Sequence, residues 1–151
     1  MKKNRIHFCA IGGLAVNAYT EPVVSLDLDV VIVAVKLGPL IGKLKKHFKV
    51  EQFANSIHVS GKKSDLRIQI QTDWRYQPFL KRAKVKDVLG YKIPVAAIED
   101  VLQGKIWAAL DETRRPSKRQ KDPADILRLV EAKGELKKLV PTEIKTQLKL
   151  N

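Results

Sequence analysis

The run Leu26-Asp27-Leu28-Asp29-Val30-Val31-Ile32-Val33-Ala34-Val35 limits the possible folds more than any other segment. Its β-branched side chains fit a pleated strand better than a helix. After Asp29 the run is apolar on both faces, as in a central strand covered from both sides. The rest of the chain has to supply that strand's neighbours and its covers.

Several other segments read as strands or helices. Residues 6–11 read as a first strand, followed by a turn at Gly12-Gly13 and a helix from near Leu14 that Glu21-Pro22 ends. Beyond Gly38-Pro39, residues 39–48 form an amphipathic helix with lysines on its wet side. Short strands follow at 50–53 and 56–59, and Leu66–Gln71 alternates strictly between apolar and polar. Residues 78–84 read as a short helix, and Gly90 opens a turn into a last strand ending at Val95. From 96 on the chain is helical, over 96–113, about 123–133, 135–139 and 142–149, with the basic stretch at Pro116 read as a loop. Asp122 is placed as N-cap of the helix that begins at Pro123. The expected class is α+β: a mixed twisted sheet flanked by helices with a helical C-terminal portion. One domain spans 1–151, sheet-rich over about 5–95 and helical over about 96–151.

Charge narrows the function. The chain carries 29 Lys and Arg against 16 Asp and Glu, a net +13, divided between the two halves of the sequence and not confined to a tail. The excess points to an anionic partner such as nucleic acid or a nucleotide. A single cysteine, Cys9, excludes an internal disulfide framework, and three scattered histidines give neither a zinc cage nor a triad spacing. Cys9 lies in an apolar strand and reads as buried and inert. The basic residues Met1–Arg5 and the apolar stretch after them imitate a signal peptide, but His7 and Gly12-Gly13 interrupt it. No stretch is apolar enough for a membrane helix, so the expected location is cytoplasmic and the partners exclude a membrane.

Chemistry concentrates at few positions. Asp27 and Asp29, at i and i+2 of a strand, share one face roughly 7 Å apart. Such carboxylates suit Mg²⁺ completed by substrate phosphates, or else they pair with surplus lysines. Gly12-Gly13, between strand and helix, lets backbone N–H groups approach a phosphate. Together these features outline a nucleoside triphosphate site. Lys105 falls within the apolar arc of its helix, where it must snorkel out or meet an anion. Trp74, Tyr76 and Phe79 read as core packing before base stacking, and Trp107 falls on the polar side of its helix.

Ile11–Tyr19 with Ser25–Asp29, then Glu99–Lys105 and Lys121–Ile126, resemble three ordered motifs of minimal nucleotidyltransferases in the DNA polymerase β superfamily, closest to the AbiEii-type toxins. The resemblance covers roughly 8–130. It implies that Asp27 and Asp29 bind Mg²⁺, that Gly12, Gly13 and Ser25 contact nucleotide phosphates, and that Lys105 and Asp122 line the site. It further implies transfer of a nucleotide from an NTP to a hydroxyl, and an antitoxin as protein partner; the basic runs point to RNA, with a tRNA end in view, before DNA as acceptor, or else to a protein side chain. Two departures stand out: Val23 occupies a position where many relatives carry arginine, and Gln69 stands where polymerase-type members carry a third carboxylate. A glutamine is no general base. Asp65 and Asp73 share the parity of Gln69 but lie about 13 Å along the strand. The alternative reading is a catalytically degenerate module that binds nucleic acid or a protein.

Overall fold

The computed structural model describes residues 6–151, so the basic segment Met1–Arg5 lies outside it. Seven strands form one mixed sheet: β1 Phe8–Ile11, β2 Asp27–Ile32, β3 Lys49–Gln52, β4 Ser56–Ser60, β5 Arg67–Gln71, β6 Lys84–Val88 and β7 Tyr91–Val95. Their order is β3-β4-β5-β2-β1-β7-β6, with β2 at the centre. It pairs antiparallel with β1 and parallel with β5. The helices are α1 Gly12–Asn17, α2 Ala34–Leu44, α3 Phe79–Arg82, α4 Ile98–Leu110, α5 Pro116–Ala132 and α6 Thr142–Gln147, with 3-10 turns at Trp74–Tyr76 and Gly134–Leu139.

The two-faced apolar run of β2 is explained by two cores. Val30 and Ile32 join Phe8, Ile57, Val59 and Ile70 beneath Leu40 of α2. Val31 points the other way, into the larger core built with α1, α4 and α5. Asp27 and Asp29 share the parity of Val31, so they lie on the helical side, where the apolar packing ends.

Several local expectations are corrected. The strand stops at Ile32, because β1 and β5 offer partners only as far as Ile32 and Val31. Helix α2 then begins at Ala34, five residues earlier than expected and with Pro39 inside it. Gln77 stabilises that junction, donating to the Ile32 carbonyl at 3.0 Å and accepting from the Ala34 N–H at 3.2 Å. Residues 84–88 are a strand, antiparallel to β7 across Leu89-Gly90. Both turn residues have positive φ, 52° and 85°, as a two-residue hairpin requires. The basic stretch expected to be a loop is instead the first part of α5, with Pro116 as its first residue. Asp122 is therefore no N-cap: it lies mid-helix and is 2% exposed. Finally, Trp107 is half-buried against Tyr76 and Phe79, while Trp74 is 79% exposed.

Cys9 is buried as expected, and burial pushes its thiol pKa up to about 12. No helix among the described residues is long and apolar enough to cross a membrane.

Candidate active site

The C-terminal end of β1 turns directly into α1 at Gly12, whose φ of +67° is a left-handed conformation. A Cβ at Gly12 would overlap the carboxylate of Asp29, and glycine avoids both conflicts. The backbone is thereby brought against the acid. A Cβ at Gly13 would lie 3.5 Å from the Ser25 hydroxyl and 3.6 Å from Lys121 Nζ. The glycine turn thus has a serine and a lysine close above it, a setting that suits an anion.

Pairing of β2 with β5 sets the next row, with Asp27 beside Arg67 and Asp29 beside Gln69. Arg67 Nε donates to Asp27 Oδ1 at 3.0 Å. Asp29 is treated differently. Among the described residues no side chain hydrogen-bonds or ion-pairs with its carboxylate. Burial raises its pKa to about 6; Lys105, Lys118 and Arg114 pull it down and Asp27 pushes it up.

The opposite wall is helical. Lys105 of α4 is 8% exposed and meets two carboxylates of α5, Asp122 Oδ1 at 3.1 Å and Asp125 Oδ2 at 2.8 Å. Burial works to discharge this lysine, but Asp125 and Asp122 outweigh it and hold its pKa above the usual value. Arg114 Nη2 lies 3.5 Å from Asp122 Oδ2, and Arg128 Nη1 donates to Asp125 Oδ1 at 2.9 Å. Each buried acid is therefore balanced, and Lys105 met an anion supplied by the protein itself. Gly104 lets α4 approach the Tyr76 ring, which would lie 3.2 Å from a Cβ there.

The seven positions singled out from the sequence, Gly12, Gly13, Ser25, Asp27, Asp29, Lys105 and Asp122, all line one cleft of about 170 Å³. Arg114, Lys118 and Lys121 line it too. In the sequence these three were visible only as part of a charged run. Lys118 and Lys121, three residues apart, share a face of α5, whose start Pro116 marks, and Arg114 lies just ahead of that helix. Arg128 gave no signal. Its Nη2 donates to Asn17 Oδ1 at 3.1 Å, Thr20 Oγ1 at 2.8 Å and the Glu21 carbonyl at 2.5 Å. Asn17 in turn accepts from the Val23 N–H and donates to the Val23 carbonyl. Arg128 thus anchors from α5 the loop that carries Val23 and Ser25. Asp65 does not line the cleft, and Asp73 lies beyond it, bound to Arg75.

No protein-family model matches the sequence, and no curated protein matches it either. Among solved structures, the antibiotic-resistance factor ANT(2'')-Ia aligns over 98% of this chain and 86% of its own, with TM-score 0.66 and 11% identity. The lincomycin-bound lincosamide antibiotic adenylyltransferase LnuA aligns over 85% and 90%, with TM-score 0.57 and 13% identity. An antigenic nucleotidyltransferase-like protein from Paracoccidioides brasiliensis aligns over 86% and 70%, with TM-score 0.55 and 16% identity. Identities this low establish architecture and not activity. The chain has the nucleotidyltransferase fold, a seven-stranded mixed sheet flanked by helices.

Proposed function

We propose that the cleft transfers a nucleotide from a nucleoside triphosphate to a hydroxyl acceptor, with Mg²⁺ as cofactor. The observation that carries this reading is the close approach of the Gly12 backbone to the half-buried Asp29 carboxylate, which no side chain among the described residues bonds; it supports a phosphate cradle beside a cation site.

The residues present fit a divalent cation. Asp27 and Asp29 are hard oxygen donors on one face, and Asp29 receives no cation by direct contact among the described residues. Among the described residues no cluster of three or more His, Cys, Asp or Glu could hold a metal. A two-carboxylate set nevertheless suits Mg²⁺, which normally completes its shell with substrate phosphates and water. When bound, the ion would supply charge stabilisation on the transferring phosphoryl oxygens.

The chain's own groups account for the rest. The N–H groups of Gly12-Gly13, the Ser25 hydroxyl and Lys121 bind the outer phosphates, and Lys118 and Arg114 offset their charge. The acceptor oxygen bonds to the α-phosphorus, the bond to the bridging oxygen breaks, and pyrophosphate leaves in line. Gln69, beside Asp29, accepts a hydrogen bond from the acceptor hydroxyl and orients it; the proton passes to water. Lys105 and Asp122 act through the wall they build, holding α5 and its basic face over the cleft.

The +13 charge supports a polyanionic acceptor, which we take as RNA, with a tRNA end in view, before DNA. The resemblance to AbiEii-type toxins extends the reading to a cytoplasmic toxin with an antitoxin partner. The test is incubation with each labelled NTP, Mg²⁺ and total RNA. Label should move to RNA, and Asp27→Asn combined with Asp29→Asn should abolish transfer; unchanged transfer in the double variant would falsify the reading. A second reading, a binding module without turnover, is favoured by Gln69 and by the Asp27–Arg67 pair. It predicts salt-sensitive RNA binding that needs no Mg²⁺.

A further inference from the structure

Beside the catalytic cleft lies a second cavity, of about 370 Å³. The two share Gln71, Tyr76, Ala108 and Arg114, so they adjoin along a common wall. The outer walls come from Asn55, from Asp73 and Arg75 on the 3-10 turn, and from Trp107 and Asp111 at the end of α4.

Its position follows from strand geometry. Ser25 lies on the approach to β2, before Asp27 and Asp29, while Gln71 lies two residues beyond Gln69 on β5. Two residues of strand span about 7 Å, so Gln71 stands one step past the Asp29–Gln69 pair, away from Ser25, Gly13 and Lys121. With the outer phosphates at the Ser25 end, in-line displacement brings the attacking hydroxyl from the Gln71 end. The second cavity opens there.

Its chemistry narrows the acceptor. Both carboxylates are already engaged. Asp73 accepts from the Arg75 N–H at 3.0 Å, from Nε at 2.9 Å and from Nη2 at 2.7 Å, and Asp111 accepts from the Thr113 N–H at 2.9 Å and its hydroxyl at 2.6 Å. Two guanidinium groups, Arg75 and Arg114, line the same space. A polycation would find no uncommitted carboxylate on this wall. Trp74 is not part of the lining itself, but it lies in the chain between the lining residues Asp73 and Arg75 and is 79% exposed. An exposed indole beside cationic side chains is how single-stranded nucleic acid is commonly held, by stacking and phosphate attraction.

We propose that the second cavity is the acceptor site and receives the terminal nucleoside of a single-stranded RNA, its base stacked on Trp74 and its phosphates met by Arg75 and Arg114. This assignment rests on the transferase reading above. The test measures transfer from labelled NTP to a short single-stranded RNA with Mg²⁺, determining KM for RNA and for NTP separately in wild type, Trp74→Ala and Trp74→Phe. Binding of a non-hydrolysable NTP analogue with Mg²⁺ is measured by calorimetry alongside. Trp74→Ala should raise the RNA KM about 5-fold or more while the NTP KM moves by less than about twofold, and Trp74→Phe should recover most of the loss. An unchanged RNA KM overturns the proposal. A rise confined to the NTP KM also overturns it, by assigning the cavity to the donor nucleoside, as does labelling of an aminoglycoside in preference to RNA. If the wild type binds the analogue but labels no RNA, the acceptor site alone is wrong. If it does not bind the analogue, the transferase reading fails and the acceptor site falls with it.

Discussion

Two pairs of aspartates belong to the two walls of the cleft, Asp27 and Asp29 on β2, Asp122 and Asp125 on α5. The helical pair is closed: Lys105 bridges both acids, with Arg114 near one and Arg128 bonded to the other. The strand pair is open. Arg67 engages Asp27 from the exposed side, and Asp29 receives no direct cation among the described residues. Burial differs as well, since Asp122 and Asp125 are each 2% exposed while Asp27 and Asp29 are half-buried, but burial by itself assigns no counter-charge to either pair. What differs is where the neutralising charge comes from. On the helical wall the protein supplies it by direct contact; on the strand wall only Asp27 has such a contact, with Arg67, and Asp29 feels its cations from a distance.

The largest effect should follow from opening the closed pair. Lys105→Met leaves two buried carboxylates without their shared cation, which should cost about 3–5 kcal/mol of stability. For a chain of this size that corresponds to a fall in Tm of roughly 6–20 °C, readable by calorimetry. Adding Asp122→Asn and Asp125→Asn to Lys105→Met should recover much of the loss. A Lys105→Met protein as stable as wild type would show that the helical wall is not a charge-balanced scaffold.

The open pair should respond in the opposite sense, and with pH. Asp29 has a folded pKa of about 6 against an ordinary 3.8, so between those values the native state holds more protons than the unfolded one. Its contribution to stability is therefore greatest below 3.8 and is lost as pH rises through 6. Asp29→Asn should flatten that slope in a Tm-against-pH series, and near neutral pH it should leave stability equal or raised. Mg²⁺ should lower the Asp29 pKa and release protons on binding, detectable by calorimetry in buffers of different ionisation enthalpy. A Tm profile in which Asp29→Asn parallels wild type would contradict the open-pair description.

The smallest effect concerns the link between the two walls. Arg128 joins Asp125 to Asn17, Thr20 and Glu21, and so holds the loop bearing Ser25. Arg128→Ala should lower stability by about 1–3 kcal/mol through lost charge-assisted hydrogen bonds. If Arg128 positions the phosphate site, the KM for NTP should rise more than kcat falls, and Arg128→Lys should restore part of it. Equal effects on kcat and KM would make it a structural brace only.

Several of these features could be read before any coordinates. The β2 run announced a central strand because no half-exposed strand hides apolar groups on both faces. Gly12-Gly13 and the Asp27–Asp29 spacing announced the glycine turn and the two acids on one strand face, and Lys105 stood out as a charge in an apolar arc. Strand β6 was hidden because Lys84-Val85-Lys86-Asp87-Val88 carries little apolar signal on an edge strand. The start of α5 was hidden because Asp122-Pro123 imitates a helix start, while the helix had begun at Pro116.

Local chemistry was sufficient to determine that two acids would share a strand face near a glycine turn, since residue spacing and backbone freedom are properties of neighbours in the chain. It could not determine which acids would be neutralised from within. Lys105 meets Asp122 across 17 residues, and Arg128 meets Asn17 across 111. Such pairings depend on how α4 and α5 pack over the sheet, and a charge in a chain has no preferred counter-charge until packing removes water from both. Tertiary structure alone decided that the helical acids would be closed by the protein and that Asp29 would keep no bonded side-chain partner among the described residues.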